Sequence, residues 1–377
     1  MRHSIIKTMG ESGYMTTGKS KVGINATLLL ASGLICKVVG ALFRLPLTNV
    51  LGVEGIGVFQ LIMSTFSFAL VLSSGGATVA LSKLVASHRA KGDFVKLNAC
   101  FRRAMFQAVG LATLLGVLLA LCWKNISTFQ HINPNKSYLL FVILLPFGAG
   151  MAVFRGYFQG QENMLPTTVS QILEQSAKFV LGLALAVVFS KQSLTSGVFG
   201  AFLGITLSEV LTVALLFVWH LRKRKRCVFY RKAKNLWATR KEYDKSNFLL
   251  TLSAISLPLA NMIDSFFIVG RLQVAGLSAS RATELFGVQT GIVGTMLNLP
   301  LSISVAAACL PNFAFLMSKG ENVGSAIEKG FKLLLLFVLP TTFGLAAVSN
   351  VLYSLIYPMV SYEILLFATN LTLYSAF

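Results

Sequence analysis

Acidic residues are the scarcest feature of this 377-residue chain: 13 Asp and Glu stand against 33 Lys and Arg. Charge of either sign is thin, at 12% of residues, where soluble domains carry about a quarter. That shortage excludes an ordinary soluble domain. The stretches 104–123, 137–154, 285–318 and 333–360 contain no Asp, Glu, Lys or Arg, and about 20 apolar residues in a helix cross about 30 Å of hydrocarbon. Histidine and cysteine are rare too. His3, His88, His131 and His220 form no HExxH or comparable ligand set, and Cys36, Cys100, Cys122, Cys227 and Cys309 show no CxxC spacing. Free thiols and no metal site are therefore expected. No Walker loop, nucleophile elbow or nucleotide fingerprint occurs, so nothing points to an enzyme. The first 23 residues are polar and basic with no short apolar core, and no removable signal peptide is expected.

What is present in quantity is hydrocarbon, with 55% hydrophobic residues. Windows and breakers together predict an all-α, polytopic membrane protein with ten helices at about 24–45, 57–82, 100–123, 137–158, 166–189, 197–220, 248–270, 284–310, 329–349 and 361–377. The organisation expected is a cytoplasmic tail (1–23), an N-lobe (24–220), a basic cytoplasmic linker (221–247) and a C-lobe (248–377). With the N-terminus inside, most Lys and Arg fall in cytoplasmic segments, as the positive-inside rule requires. The run RKRKRCVFYRKAKNLWATRKEYDK at 222–245 then leans on anionic membrane lipids, each cation contributing about 1 kcal/mol, and no nucleic acid partner is needed.

Six helices before the linker is an even number, so any repeat between the lobes must be parallel. VALSKLVASHRAKGD (79–93) resembles VAAACLPNFAFLMSKGE (305–321), and FRL (43–45) matches GRL (270–272). Parallel repeats are a known transporter plan, with the substrate site between the halves around a central cavity.

One stretch is out of place in such a chain. The helix that begins at Pro166 carries Gln171, Glu174, Gln175 and Lys178, spaced i, i+3, i+4 and i+7 and therefore on one face. Lys178 lies about 18 Å beyond the Pro166 end, near the bilayer middle, where a lone charge costs about 2.5–3.5 kcal/mol on insertion scales. The stripe cannot face lipid. Either Glu174 and Lys178 neutralise one another in a packed bundle, or the stripe lines a water-filled cavity, which the two glutamines favour. Lys37 and Arg44 repeat the logic on the first helix. Arg44 either serves a cavity or snorkels to the outer headgroups; Lys37 lies too deep to do so. Glu209 is expected to be a buried counter-ion. Asp264 is either a counter-ion or part of a coupling-cation site. Counting Lys37, Arg44, Arg155, Lys178 and Arg271 against Glu174 and Asp264, the candidate cavity is cationic and its cargo anionic.

The stretch FRGYFQGQENMLPTTVSQILEQ (154–175) closely resembles the junction between helices 4 and 5 of bacterial polysaccharide flippases related to stage V sporulation protein B, in the superfamily that also holds lipid II flippases and multidrug MATE exporters. CKVVGALFRLPLTNVLGVEGIGVFQL (36–61), SSGGATVALSKLVASHRAKGD (73–93) and DSFFIVGRLQVAGLSASRATELFGVQTG (264–291) extend the resemblance over nearly all of the chain after residue 24. It implies two six-helix lobes, alternating access, and transport of polyprenyl-diphosphate-linked sugars to the outer leaflet of a bacterial cell membrane. Lys37 and Arg44 match the basic positions of the family's first helix. The arginines that lipid II flippases carry on helices 2 and 8 have no counterpart, since Gly55 to Ser82 is uncharged and Thr295 and Asn298 stand near LNLP (297–300). Family members have about fourteen helices, so a chain ending in its tenth is expected to be either a fragment or a truncated reading frame. The expected substrate-binding set is Lys37, Arg44, Arg155, Gln171, Glu174, Gln175, Lys178 and Arg271, in a monomer with no cofactor beyond a coupling ion, Na+ or H+. The competing expectation is an ion-coupled exporter of small organic molecules.

Overall fold

The structure, a computed structural model, describes residues 2–224, 236–301, 324–358 and 360–376. Every described element is helical. The first, α1 (Arg2–Ser74), passes straight through Pro46 and breaks only at Gly52, whose φ of 72° is open to glycine and strained for other residues. The sequence reading ends this helix at residue 45, before the proline. In a membrane, neighbouring helices and local adjustment absorb the backbone group that proline leaves unpaired, and the fully buried Leu47 and Thr48 show how tightly that turn is held. The apolar stretch Ala31–Ala90 is 60 residues long. Straight, it would reach about 90 Å, three times the hydrocarbon thickness. The break at Gly52 divides it into two crossings.

After Gly75 and Gly76 come α2 (Ala77–Ala90) and α3 (Phe94–Leu121). Asp93 caps α3 by accepting from the Lys96 amide, and Lys96 Nζ lies 2.8 Å from the same carboxylate. That contact holds the Asp93 carboxyl below its usual range. A short α4 (Trp123–Phe129) and a 3₁₀ turn (Lys136–Leu140) lead into α5 (Phe141–Gly160). Pro166 opens α6 (Leu165–Ala177), which runs through a π turn (Lys178–Gly182) into α7 (Leu183–Ser190) and is followed by α8 (Leu194–Arg224). Beyond the linker, α9 (Leu236–Ala254) and α10 (Ser256–Val274) are bent by 48°. Then come α11 (Ala279–Gly287), a second π turn (Val288–Val293), α12 (Gly294–Leu301), α13 (Gly324–Ile356) and α14 (Tyr362–Ala376). Among the described residues six helices are long and apolar enough to cross a membrane, Ala31–Ala90 counting once, and α9 with α10 adds a seventh. The protein is a multi-pass membrane protein. The basic run from 225 to 235 and the repeat segment 305–321 lie outside the described residues.

Two cores hold the helices. Phe59, Phe66, Phe141 and Phe202 pack ring to ring in the first half, and Val288, Ile292 and Met296 pack against Tyr353, Tyr357 and Ala368 in the second. The halves meet along a seam where Gly57 faces α11: a Cβ there would stand 2.2 Å from the Thr283 carbonyl oxygen. Along the same seam the Gln60 amide donates to the Thr290 carbonyl at 3.3 Å and the Gln130 amide to Ser265 Oγ at 3.2 Å.

Where α3 meets α9, Arg103 grips Asp244 with two parallel bonds of 3.0 and 2.8 Å. Both side chains are about a third exposed, so the pair is worth about 0.2–1 kcal/mol. Arg103→Asp should lower the thermal stability of the detergent-solubilised protein slightly, and Arg103→Asp with Asp244→Arg should restore it. Additive losses in that double-mutant cycle would show that the pair adds nothing.

Candidate functional site

The polar stripe of α6 lies inside the first half, against α1, α5 and α8. Its centre is Glu174, whose Oε1 takes Lys178 Nζ at 2.5 Å and whose Oε2 takes Arg155 at 2.8 Å. The first contact is the i, i+4 geometry of one helix face. The second arises because Arg155 sits one turn before the end of α5, facing the start of α6 across the tight QENM turn (161–164). Ser170, one turn before Glu174, takes the Arg155 Nε–H at 3.0 Å. Glu209, on α8, lies 3.7 Å from Lys178 Nζ and is 2% exposed. Gln171 accepts from Ser32 of α1 at 2.9 Å, and Gln175 Oε1 lies 3.6 Å from where a Cβ on Gly40 would be. Two cations and two acids thus share one buried network, balanced in formal charge when all four are ionised.

Arg44 stands elsewhere, at the contact between the two halves. Its guanidinium donates to Thr295 Oγ1 of α12 at 3.4 Å, a long bond and its only side-chain hydrogen bond among the described residues. Thr48 bonds back to the Arg44 carbonyl at 2.9 Å, and the buried Tyr357 stands in the same neighbourhood, its hydroxyl near Thr48. Thr295 is one of the two residues, with Asn298, that stand near LNLP, where the resemblance implies an arginine.

The remaining candidates are apart. The Lys37 side chain lies outside the described residues. Asp264 is exposed on α10, away from the network. Arg271, also on α10, borders a cleft of about 610 Å³ formed with Phe129, His131, Phe266 and Phe267. Ser170, Ser32 and Tyr357 escaped the sequence reading, and Thr295 was named there only for the arginine it does not supply. Of the three, only Ser170 left a signal, by sitting one turn from Glu174 on the same face. Among the described residues no group of three or more His, Cys, Asp or Glu could hold a metal ion.

Bundled crossings with broken helices and ion pairs turned inward define a polytopic helical membrane protein with a polar interior. In three dimensions the chain is similar to an inward-facing multidrug resistance MATE family transporter of the MOP superfamily (TM-score 0.61, 16% identical, covering 92% of this chain and 75% of that one). It is also similar to a MOP superfamily transporter from Pyrococcus furiosus (TM-score 0.56, 17% identical, 90% of this chain and 75% of that one). Residues 22–317 match the model of the polysaccharide biosynthesis protein family, and the chain belongs to that family. It is 28% identical over 330 residues to stage V sporulation protein B of Bacillus subtilis, covering 82% of this chain. It is 24% identical over 373 residues to the lipid II flippase MurJ of the same organism, covering 89% of this chain. The chain spans 61% and 66% of the lengths of those two relatives.

Proposed function

We propose that this protein moves polyprenyl-diphosphate-linked sugars from the inner to the outer leaflet of a bacterial cell membrane by alternating access, with its N-terminus in the cytoplasm. Arg44 is the observation that carries the reading. Arg155 and Lys178 are committed to Glu174, whereas Arg44 lies between the halves with a single long side-chain bond among the described residues. A diphosphate offers it the charge-assisted, two-pronged bonding that a guanidinium favours. The neighbouring hydroxyl of Tyr357 would turn to the same anion, and Lys37 sits two turns away on the same helix. Family membership, and likeness to a relative named as a lipid II flippase, support the same cargo class. An exporter of organic cations, which the MATE-type fold alone would allow, would need an acidic site in place of Arg44. The basic ends of α2 and α3 would rest on anionic headgroups.

Proteoliposomes loaded with labelled polyprenyl-diphosphate sugar test this. The protein should carry the headgroup across, and Arg44→Ala should slow it about 10- to 100-fold, as loss of a hydrogen bond to a charged group of about 1.5–3 kcal/mol implies. Efflux of an organic cation with no headgroup transfer would overturn the reading.

A further inference from the structure

The cargo reading makes no use of Glu209. Its Oε1 lies 3.7 Å from Lys178 Nζ, while its Oε2 is buried with no hydrogen-bond partner among the described residues. A Cβ built on Gly148 would stand 3.0 Å from that oxygen and 2.9 Å from Leu70 Cδ1. Oε2 therefore looks onto the bare backbone of α5 and an aliphatic side chain. The charged groups around Glu209 are Lys178 and Glu174 from α6 and its π turn, and Arg155 from α5. Among the described side chains the other elements packed on α8 add little. On α1, Gly55 to Ser74 is uncharged and Cys36 contributes a thiol to the same network, while Lys37, next to it in the chain, has its side chain outside the described residues. The apolar α7 contributes no charge, and the 3₁₀ turn holds only the exposed Lys136.

Glu174 is served on both oxygens by the two cations, so Glu209 is the acid left over. An ionised carboxylate has about four acceptor sites to satisfy, and setting one oxygen against hydrocarbon strips it of solvation with no return. A neutral acid forfeits much less. We propose that Glu209 is a proton-binding site, its carboxyl protonated in the state seen here, so that the network of Arg155, Glu174, Lys178 and Glu209 carries one net positive charge until the proton leaves. A sodium ion does not suit the place, because hard cations gather about six oxygen ligands, and two cations, Lys178 and Arg155, already share this network. When the proton departs to water, Lys178 has a second ionised acid within reach and can turn from Glu174 towards it. The protonated network is the one that attracts an anionic cargo, a consequence that rests on the function proposed above; the proton site itself does not.

Infrared difference spectroscopy of the full chain in lipid nanodiscs, with pH as the variable and no cargo present, tests the site directly. A C=O stretch of a protonated carboxyl should be present at neutral pH, vanish at alkaline pH, be absent from Glu209→Gln and persist in Asp264→Asn. A band that survives in well-folded Glu209→Gln, or no such band in the wild type, would overturn the proposal. Should Glu209→Gln not fold, wild-type protein carrying glutamate labelled with ¹³C at the side-chain carboxyl decides instead: the band must shift, and one that stays in place belongs to another group and sinks the idea. The transport assay above stands or falls separately.

Discussion

Glu174→Ala is expected to be the most destabilising single substitution in the network, lowering stability by about 3–5 kcal/mol, because it strands two buried cations at once. The two cations do not suffer equally. Lys178 can turn to Glu209, 3.7 Å away, whereas Arg155 keeps only the hydroxyl of Ser170. Adding Arg155→Met to Glu174→Ala should therefore recover more of the lost stability than adding Lys178→Met. Melting in detergent, followed by fluorescence-detected size exclusion, gives all four values. Equal recovery by the two double variants would mean that Glu209 offers Lys178 nothing.

The second large effect concerns movement. Gly57→Val should reduce headgroup transfer to background while the protein stays monodisperse. Even the first carbon of the new side chain would stand 2.2 Å from the Thr283 carbonyl oxygen, with the Thr283 Cγ2 at 3.0 Å. Backbone cannot step aside as a flexible side chain can, so α11 must move off and the seam stays open. Overpacking of this kind costs about 1–3 kcal/mol, tolerable for folding and fatal to a cycle that needs the seam to close. A short bifunctional thiol reagent should bridge Gln60→Cys and Thr290→Cys in the parent and fail to do so once Gly57→Val is added. Undiminished transfer would show that these helices never need to meet.

Much of this was legible in the amino-acid sequence for local reasons. The spans follow from runs of apolar residues, and the polar face of α6 follows from spacings of three and four. The turn at 91–93 was marked by its Lys-Gly-acid pattern, and Asp93 is indeed the cap of α3. What escaped was non-local. No pattern near Gly57 announces Thr283, more than two hundred residues on, and nothing around Arg44 names Thr295 or Tyr357. The continuation of α1 past Pro46 escaped because the breaker rule comes from water-exposed chains, whereas here the surrounding helices and lipid leave a helix as the only inexpensive backbone. Arg271 and Asp264 were counted with the stripe because charge in a membrane was read as one site. The fold puts both on α10, and Arg271 at the cleft with Phe129.

The π turn at Lys178–Gly182 amounts to one residue inserted into an otherwise α-helical crossing, and an insertion shifts phase. Everything after it is turned by about 100° relative to the helix before it. A single span thereby shows different sides to its surroundings along its length: α6 carries its polar stripe against α1, α5 and α8, while α7, rotated by the extra residue, lays an apolar side along α8. Continued in α register, the stripe would have reached positions 182 and 185, which hold glycine and leucine. The polar run ends at Lys178 because the helix changes phase there. Removing one residue between 179 and 181 would then act as a rotation of α7, sparing the ion pairs on one side of the joint and unseating Ala186 from its buried place on the other.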